Sequence, residues 1–279
     1  MSIDSPFDIG IKSYYESKEY SIKLFHGDCL QLLPQFPRGS IDMIFADPPY
    51  FLSNGGRTCH AGRMVSVNKG GWDVSRGVEE NYKFNLAWLN ECQQVLTKNG
   101  VIWVSGTAHI IFSVGFAMQQ LGYKILNDII WFKPNASPNL SCRYFTHSTE
   151  TVIWAAKNDK SRHNFNYELM KQISNGKQMR NLWEIPPPQP REKINGKHPT
   201  QKPLKLLERI LLASTNDGDV VLDPFNGSGS TGVAALGLGR KYIGIEVSQE
   251  YLDLTIKRLE DEAGHPRLQL DVGKAPLTK

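Results

Sequence analysis

The stretch Ile41-Asp42-Met43-Ile44-Phe45-Ala46-Asp47-Pro48-Pro49-Tyr50 constrains the fold more than any other part of the chain. A mostly apolar run that meets a Pro-Pro break reads as a buried strand with an abrupt end. Its end delivers a carboxylate, two prolines and an aromatic ring to the edge of a sheet. In open α/β sheets ligands bind outside the carboxyl ends of the strands, so Asp47, Pro48, Pro49 and Tyr50 are candidate active-site residues. The prolines fix φ and remove two donors, leaving carbonyl oxygens as acceptors beside the Asp47 carboxylate. Tyr50 adds a flat face on which a planar ring can stack. These groups suit an amino group carried by an aromatic ring.

The rest of the chain supplies the partners such a strand needs. Six further segments read as strands: Ile22 to Phe25, Val101 to Ser105, Ile125 to Trp131, Thr149 to Ala155, Val220 to Asp223 and Tyr242 to Ile245. Between them, Phe84, Trp88, Leu89, Cys92, Val95 and Leu96 share one helical face. So do Leu204, Leu207, Leu211 and Leu212, and Tyr251, Leu252, Leu254 and Leu259 suggest a third helix. This alternation predicts a mostly parallel sheet covered by helices on both faces. Two stretches depart from it. Residues 51–83 are glycine-rich and weakly periodic, which predicts a mobile loop. Residues 157–197 are polar, basic and proline-rich, which predicts an insertion.

The 279 residues form a soluble-type composition, with 40% hydrophobic and 22% charged residues and no run long enough to span a membrane. Cys29, Cys59, Cys92 and Cys142 match no zinc or redox spacing, and the first residues carry no secretion signal, so a cytoplasmic protein without metal is expected. The net charge is only +4. Residues 157–205, however, hold 11 basic and 4 acidic side chains, a local excess suited to a polyanion.

A second motif follows Val220-Val221-Leu222-Asp223. The turn Pro224-Phe225-Asn226-Gly227-Ser228-Gly229-Ser230-Thr231-Gly232 leads into an Ala- and Leu-rich helix, and Gly227, Gly229 and Gly232 have the spacing of a dinucleotide fingerprint. No Lys follows, so it is not a P-loop. Glu246 ends the next strand, placed to accept hydrogen bonds from ribose hydroxyls, and a cofactor with an adenosine portion is implied. A nicotinamide oxidoreductase fits these residues as well. The third motif, His198-Pro199-Thr200-Gln201-Lys202-Pro203, precedes the Leu-rich helix. Thr200 is placed as its N-cap, with the helix start and Lys202 ready for an anion.

Taken in this order, the motifs resemble those of the β-class DNA amino-methyltransferases that use S-adenosylmethionine. The segments 47–56, 139–151 and 198–203 look nearest to the DpnA-type adenine methylases of restriction-modification systems, which act on GATC and accept single-stranded DNA. The resemblance implies one catalytic domain over 1–279. Its fold is a circularly permuted, seven-stranded Rossmann-like methyltransferase sheet with one antiparallel strand, helices on both faces and a target-recognition insertion over 134–148 and 157–197. It implies that Asp223, Phe225, Gly227, Ser228 and Gly229 line the methionine and adenosine parts of the cofactor. Glu246 is implied at its ribose and Asp28 with Cys29 at its adenine edge. Asp47 is implied to face the same cofactor, and His198, Thr200, Gln201 and Lys202 are implied at its carboxylate end. DNA contacts are expected from Arg143, Lys157, Lys160, Arg162, Lys177, Arg180 and Arg191, and the 51–83 loop is expected to close over a flipped base.

Asp47 and the Pro48 carbonyl would each accept one N–H of the target amine. Asp47, rather than Ser, at the head of the motif favours adenine N6 over cytosine N4, which uses the same geometry. Expected partners are duplex and single-stranded DNA, with a restriction endonuclease paired in function but not in a stable complex; a homodimer is left open.

Overall fold

Burial on two faces is what the apolar runs require, and the structure provides it. A computed structural model describes residues 9–52, 57–60, 63–66, 73–196 and 198–264. Its strands are β1 (Tyr15–Ser17), β2 (Ile22–His26), β3 (Ile41–Ala46), β4 (Arg57–His60), β5 (Arg63–Ser66), β6 (Leu96–Gly106), β7 (Lys124–Phe132), β8 (Thr149–Ala156), β9 (Leu182–Glu184), β10 (Val220–Asp223) and β11 (Lys241–Glu246). Its helices are α1 (Cys29–Leu32), α2 (Val78–Val95), α3 (Ile111–Gln120), α4 (Tyr167–Ile173), α5 (Leu204–Ser214), α6 (Ser230–Gly237) and α7 (Gln249–Gly264).

The main sheet runs β1-β2-β11-β10-β3-β6-β8-β7-β9. All seven expected strands are in it. From β2 to β6 the neighbours are parallel, and β8 lies antiparallel to both β6 and β7. The late strand β10 pairs with β3 on one side and β11 on the other, which is the permutation. Alternate residues of β3 divide between the faces. Ile44 and Ala46 pack with Trp88, Leu89 and Val114 of α2 and α3, while Met43 and Phe45 pack with Leu207 and Leu211 of α5 and Ala234 of α6.

Three local expectations are corrected. The sheet has nine strands, because the three-residue edges β1 and β9 are too short to show a period. The 157–197 segment is partly core: Met170, Trp183 and Ile185 are 2%, 4% and 0% exposed. The helix expected from Phe84 starts at Val78, whose first turn is solvated and therefore lacks apolar periodicity. The 51–83 stretch also contains the β4–β5 hairpin, and Leu52 N donates to the buried Asp73 carboxylate at 3.2 Å. The glycines expected to make this stretch mobile, Gly55, Gly56, Gly70 and Gly71, lie outside the described residues. No described helix is long and apolar enough to cross a membrane.

Close packing of α6 on β11 depends on Gly232. A Cβ there would meet the Tyr242 ring at 2.5 Å, and that ring is fully buried with its hydroxyl donating to Asn226 Oδ1 at 2.7 Å. Gly232→Ala is therefore expected to destabilise the fold by about 1–3 kcal/mol, read as a lower urea midpoint with an unchanged slope.

Candidate active site at the carboxyl edge of the sheet

Asp47 leaves β3 into a buried cluster of charges. Its Oδ1 accepts from the Tyr50 hydroxyl at 2.6 Å and its Oδ2 from Lys202 Nζ at 2.5 Å. Lys202 Nζ also lies 3.7 Å from Glu150 Oε2, and Glu150 Oε1 accepts from Lys133 Nζ. The Tyr50 hydroxyl is 3.2 Å from Glu150 Oε2 and 3.4 Å from the Ser105 hydroxyl. Topology explains the convergence. Asp47, Ser105 and Lys133 come from the carboxyl ends of β3, β6 and β7. Because β8 runs the other way, Glu150 enters the same edge near that strand's start.

Two carboxylates and two ammonium groups balance, which is what burial of charge requires. Burial disfavours the charge on Lys202, but Asp47 and Glu150 outweigh it and raise its pKa. Burial pushes Glu150 up, yet Lys202 and Lys133 bring it below the usual range. Burial, reinforced by Glu150, leaves Asp47 raised against the pull of Lys202. Burial and the two carboxylates push Tyr50 well up, so its hydroxyl remains a donor.

Behind this cluster lies a cavity of about 240 Å³. It is lined by Asp28, Cys29, Asp47, Asp223, Phe225 and Gly227, and further round by Ser228, Glu246, His198, Thr200, Gln201 and Lys202. The glycine turn builds its floor, with Gly227 at φ +50° and Gly229 at φ +71°. A Cβ on Gly227 would come within 3.2 Å of His198. Asp223 Oδ1 accepts from Phe225 N at 3.0 Å and Oδ2 from the Thr231 hydroxyl at 2.6 Å. Glu246 accepts from Gly227 N at 2.7 Å and Ser248 N at 2.9 Å, and Asp28 caps α1 through Leu30 N at 2.9 Å. Gln201 Nε2 donates to Glu192 O at 2.8 Å, which leaves its buried Oε1 without a partner among the described residues.

Several expectations change here. The Tyr50 ring is 6% exposed, lies in the apolar core beside α2 and does not line the cavity, so it offers no stacking face in this structure. Thr200 does not cap α5: the helix starts after Pro203, and its Leu204 N donates to Glu192 Oε2 at 2.8 Å. The anion at that helix start is thus the chain's own. Gly229 packs against Thr255 instead of facing the cavity, since a Cβ there would lie 2.4 Å from Thr255 Cγ2. Sequence reading missed Glu150, Lys133 and Ser105, which are assembled only by strand pairing. It also missed Phe84 and Tyr251 as cavity walls.

The basic candidates separate. Arg143 is exposed between β7 and β8 at the same edge as Asp47, and Arg191 is exposed in the 3-10 turn Pro190–Lys193. Lys177 and Arg180 are exposed just before β9. Lys157, Lys160 and Arg162 are a correction. They follow β8 to the opposite edge, where Lys157 Nζ donates to Leu96 O at 2.5 Å and Arg162 N to Asn99 Oδ1 at 3.0 Å. Seven residues of strand, roughly 23 Å, separate Lys157 from Glu150, so these three leave the candidate DNA face.

Residues 41–257 match the family described as DNA methylase, with N6 and N4 members. The chain belongs to this family. It is 57% identical over 253 residues to the type II methyltransferase M2.LlaDCHI of Lactococcus lactis subsp. cremoris, covering 90% of this chain and 93% of that one. It is 54% identical over 252 residues to M2.DpnII of Streptococcus pneumoniae, with the same two coverages. Among solved structures, the M1.HpyAVI complex with S-adenosylmethionine superposes with a TM-score of 0.65 at 30% identity, covering 85% of this chain and 98% of that one. The cytosine-N4-specific PvuII methyltransferase, at 24% identity, shares the fold with a TM-score of 0.71 over 94% of this chain and 93% of its own. Family membership replaces the oxidoreductase reading of the glycine turn.

Burial raises Asp223 to about 7, against the opposing pull of its Thr231 and Phe225 hydrogen bonds. A folded pKa above the unfolded one means that Asp223 favours folding below pH about 4 and loses that contribution as pH rises through 7. Asp223→Asn should therefore gain stability relative to the parent between pH 5 and pH 8, by an amount on the order of a few kcal/mol. Urea midpoints of the cofactor-free proteins at the two pH values measure this.

Proposed function

We propose that this DNA methylase transfers a methyl group from S-adenosylmethionine to N6 of adenine, as the modification enzyme of a restriction-modification system. The observation that carries the reading is the contiguity of Asp47 with the glycine-turn cavity: one carboxylate borders both the charged cluster and the space the cofactor would fill.

The cavity's donor set fits that cofactor. Gln201 Oε1 is a buried acceptor in need of an N–H, and with the Asp223 carboxylate it suits the ammonium group of a methionine moiety. The Glu246 oxygens retain lone pairs for ribose hydroxyls after accepting from Gly227 N and Ser248 N. Asp28 and Cys29 line the same cavity and would hold the adenine edge, and His198 and Thr200 would hold the carboxylate end. When bound, the cofactor supplies an electrophilic methyl group on a sulfonium.

The chain's own residues prepare the nucleophile. An exocyclic amine is a poor nucleophile because its lone pair is delocalised into the ring. Asp47 and the Pro48 carbonyl, each accepting one N–H, favour a pyramidal nitrogen with its lone pair free. Lys202 and Tyr50 hold the Asp47 carboxylate in place through one lone pair on each oxygen, leaving others for the amine. The work is positioning and electrostatics, without a covalent enzyme intermediate. Pro49 keeps the motif rigid. Inside a duplex the base must be flipped out, at a cost of a few kcal/mol that a single strand largely avoids. Both substrates are therefore expected, and the resemblance to DpnA-type methylases makes GATC the site to try.

The purified protein, given labelled S-adenosylmethionine and GATC oligonucleotides, is expected to form N6-methyladenine on duplex and single strand. Asp47→Ala should lower kcat by at least about 100-fold. Nucleoside mass spectrometry decides the base: N4-methylcytosine would overturn adenine, and N6-methyladenine outside GATC would overturn the site alone.

A further inference from the structure

Arg209 of α5 is half-buried, its guanidinium carbon 5.1 Å from the centre of the Trp183 ring. Other buried arginines are satisfied by the protein. Arg240 donates to Asp217 Oδ1 and Thr215 O, and Arg258 to Ser228 O and the Ser230 hydroxyl. Arg209 has no hydrogen-bond or ion-pair partner among the described residues, and burial lowers its pKa with no carboxylate opposing it. A guanidinium with a stacking surface beneath it and no acceptor in front is built for an anion that the chain does not itself supply.

The surroundings fit such a ligand. The turn from α4 to β9 forms a pocket with Arg209 and Trp183, and Lys177 and Arg180 stand exposed on it. No acidic side chain among the described residues lines it; Ser174, Asn175 and Gln178 add neutral donors. Asn175 and Gly176, at φ +56° and +78°, turn the chain after α4, and Asn175 lines the pocket. Three cations with hydroxyl and amide donors match the oxygens of a phosphate. The pocket also has a consistent place relative to the candidate active site. It lies at the β9 edge, four strand spacings from β3, roughly 19 Å from the strand that carries Asp47. At 3.4 Å per base pair that is about five or six base pairs along a duplex.

We propose that Arg209, Lys177 and Arg180 form a phosphate pocket that takes a DNA backbone phosphate flanking the target base. The proposal rests on the DNA methyltransferase reading and adds an anchoring point away from the chemistry. Such an anchor fixes register without reading sequence.

The test is DNA binding by fluorescence anisotropy across a salt series, for the parent, Arg209→Gln, and the double variant Lys177→Gln/Arg180→Gln. The double variant removes only exposed cations and keeps the test independent of packing around Trp183. The slope of log K against log salt should become shallower by about 0.9 for each phosphate that is no longer neutralised. The KM for DNA should rise severalfold, while kcat and S-adenosylmethionine binding stay at parental values. Retained kcat and cofactor binding separate failure of this proposal from failure of the methyltransferase reading. An unchanged slope and KM in both variants would overturn it. Inorganic phosphate, compared with chloride at equal ionic strength, separates the two sources of the ligand. If phosphate raises the parent's melting temperature but not that of Arg209→Gln, while the DNA slope is unchanged, the pocket serves a small free phosphate and not DNA.

Discussion

The site depends on keeping Asp47 charged and oriented where water is largely excluded. A lone carboxylate there would take up a proton or turn away. Lys202 opposes both, and Lys202 is in turn shared with Glu150, which Lys133 neutralises. The four charges cancel as a set, so removing one leaves another buried and unpaired. Tyr50 closes the circuit by donating to Asp47, which is why its ring faces the core. The cluster thus turns the end of one strand into a fixed acceptor.

The fold brings these residues together through one reversed strand. Had β8 run parallel, Glu150 would sit at the far edge of the sheet and Lys202 would have one carboxylate fewer. The permutation has a matching effect. Placing β10 between β3 and β11 sets the glycine turn beside the Asp-Pro-Pro-Tyr end, although 176 positions separate Asp47 from Asp223. Gly227 lets the backbone form the cavity floor, and Gln201 Oε1 is a buried acceptor in its wall with no partner among the described residues.

Much of this was legible in the sequence, for physical reasons that also explain what was not. Central strands such as β3, β10 and β11 announced themselves because strands buried on both faces must be continuously apolar, whereas the half-exposed β7 was marked by its Ile129 to Phe132 end. Cavity residues such as Asp47, Pro49 and Asp223 to Ser228 were legible because they fall in contiguous motifs whose backbone conformation follows from Gly and Pro. Glu150, Lys133 and Ser105 gave no local signal, since each is an ordinary polar residue until strand pairing brings it to Tyr50. Tyr50 misled because an aromatic residue after a strand looks available for stacking, while the hydroxyl that anchors it inward has no sequence mark. Lys157, Lys160 and Arg162 misled because a charge count along the chain ignores strand direction. Arg209 was hidden in the Leu-rich helix that was read for its apolar face.

If the buried charges act on catalysis through Asp47, Glu150 and Asp47 must be coupled. The direct measurement is a double-mutant cycle on kcat with Asp47→Asn and Glu150→Gln on one DNA substrate. Glu150→Gln is expected to lower kcat by about tenfold or more in the parent and to add little once Asp47 is already Asn. Equal losses in both backgrounds would show instead that Glu150 acts independently of Asp47 and that the buried charges do not work through it.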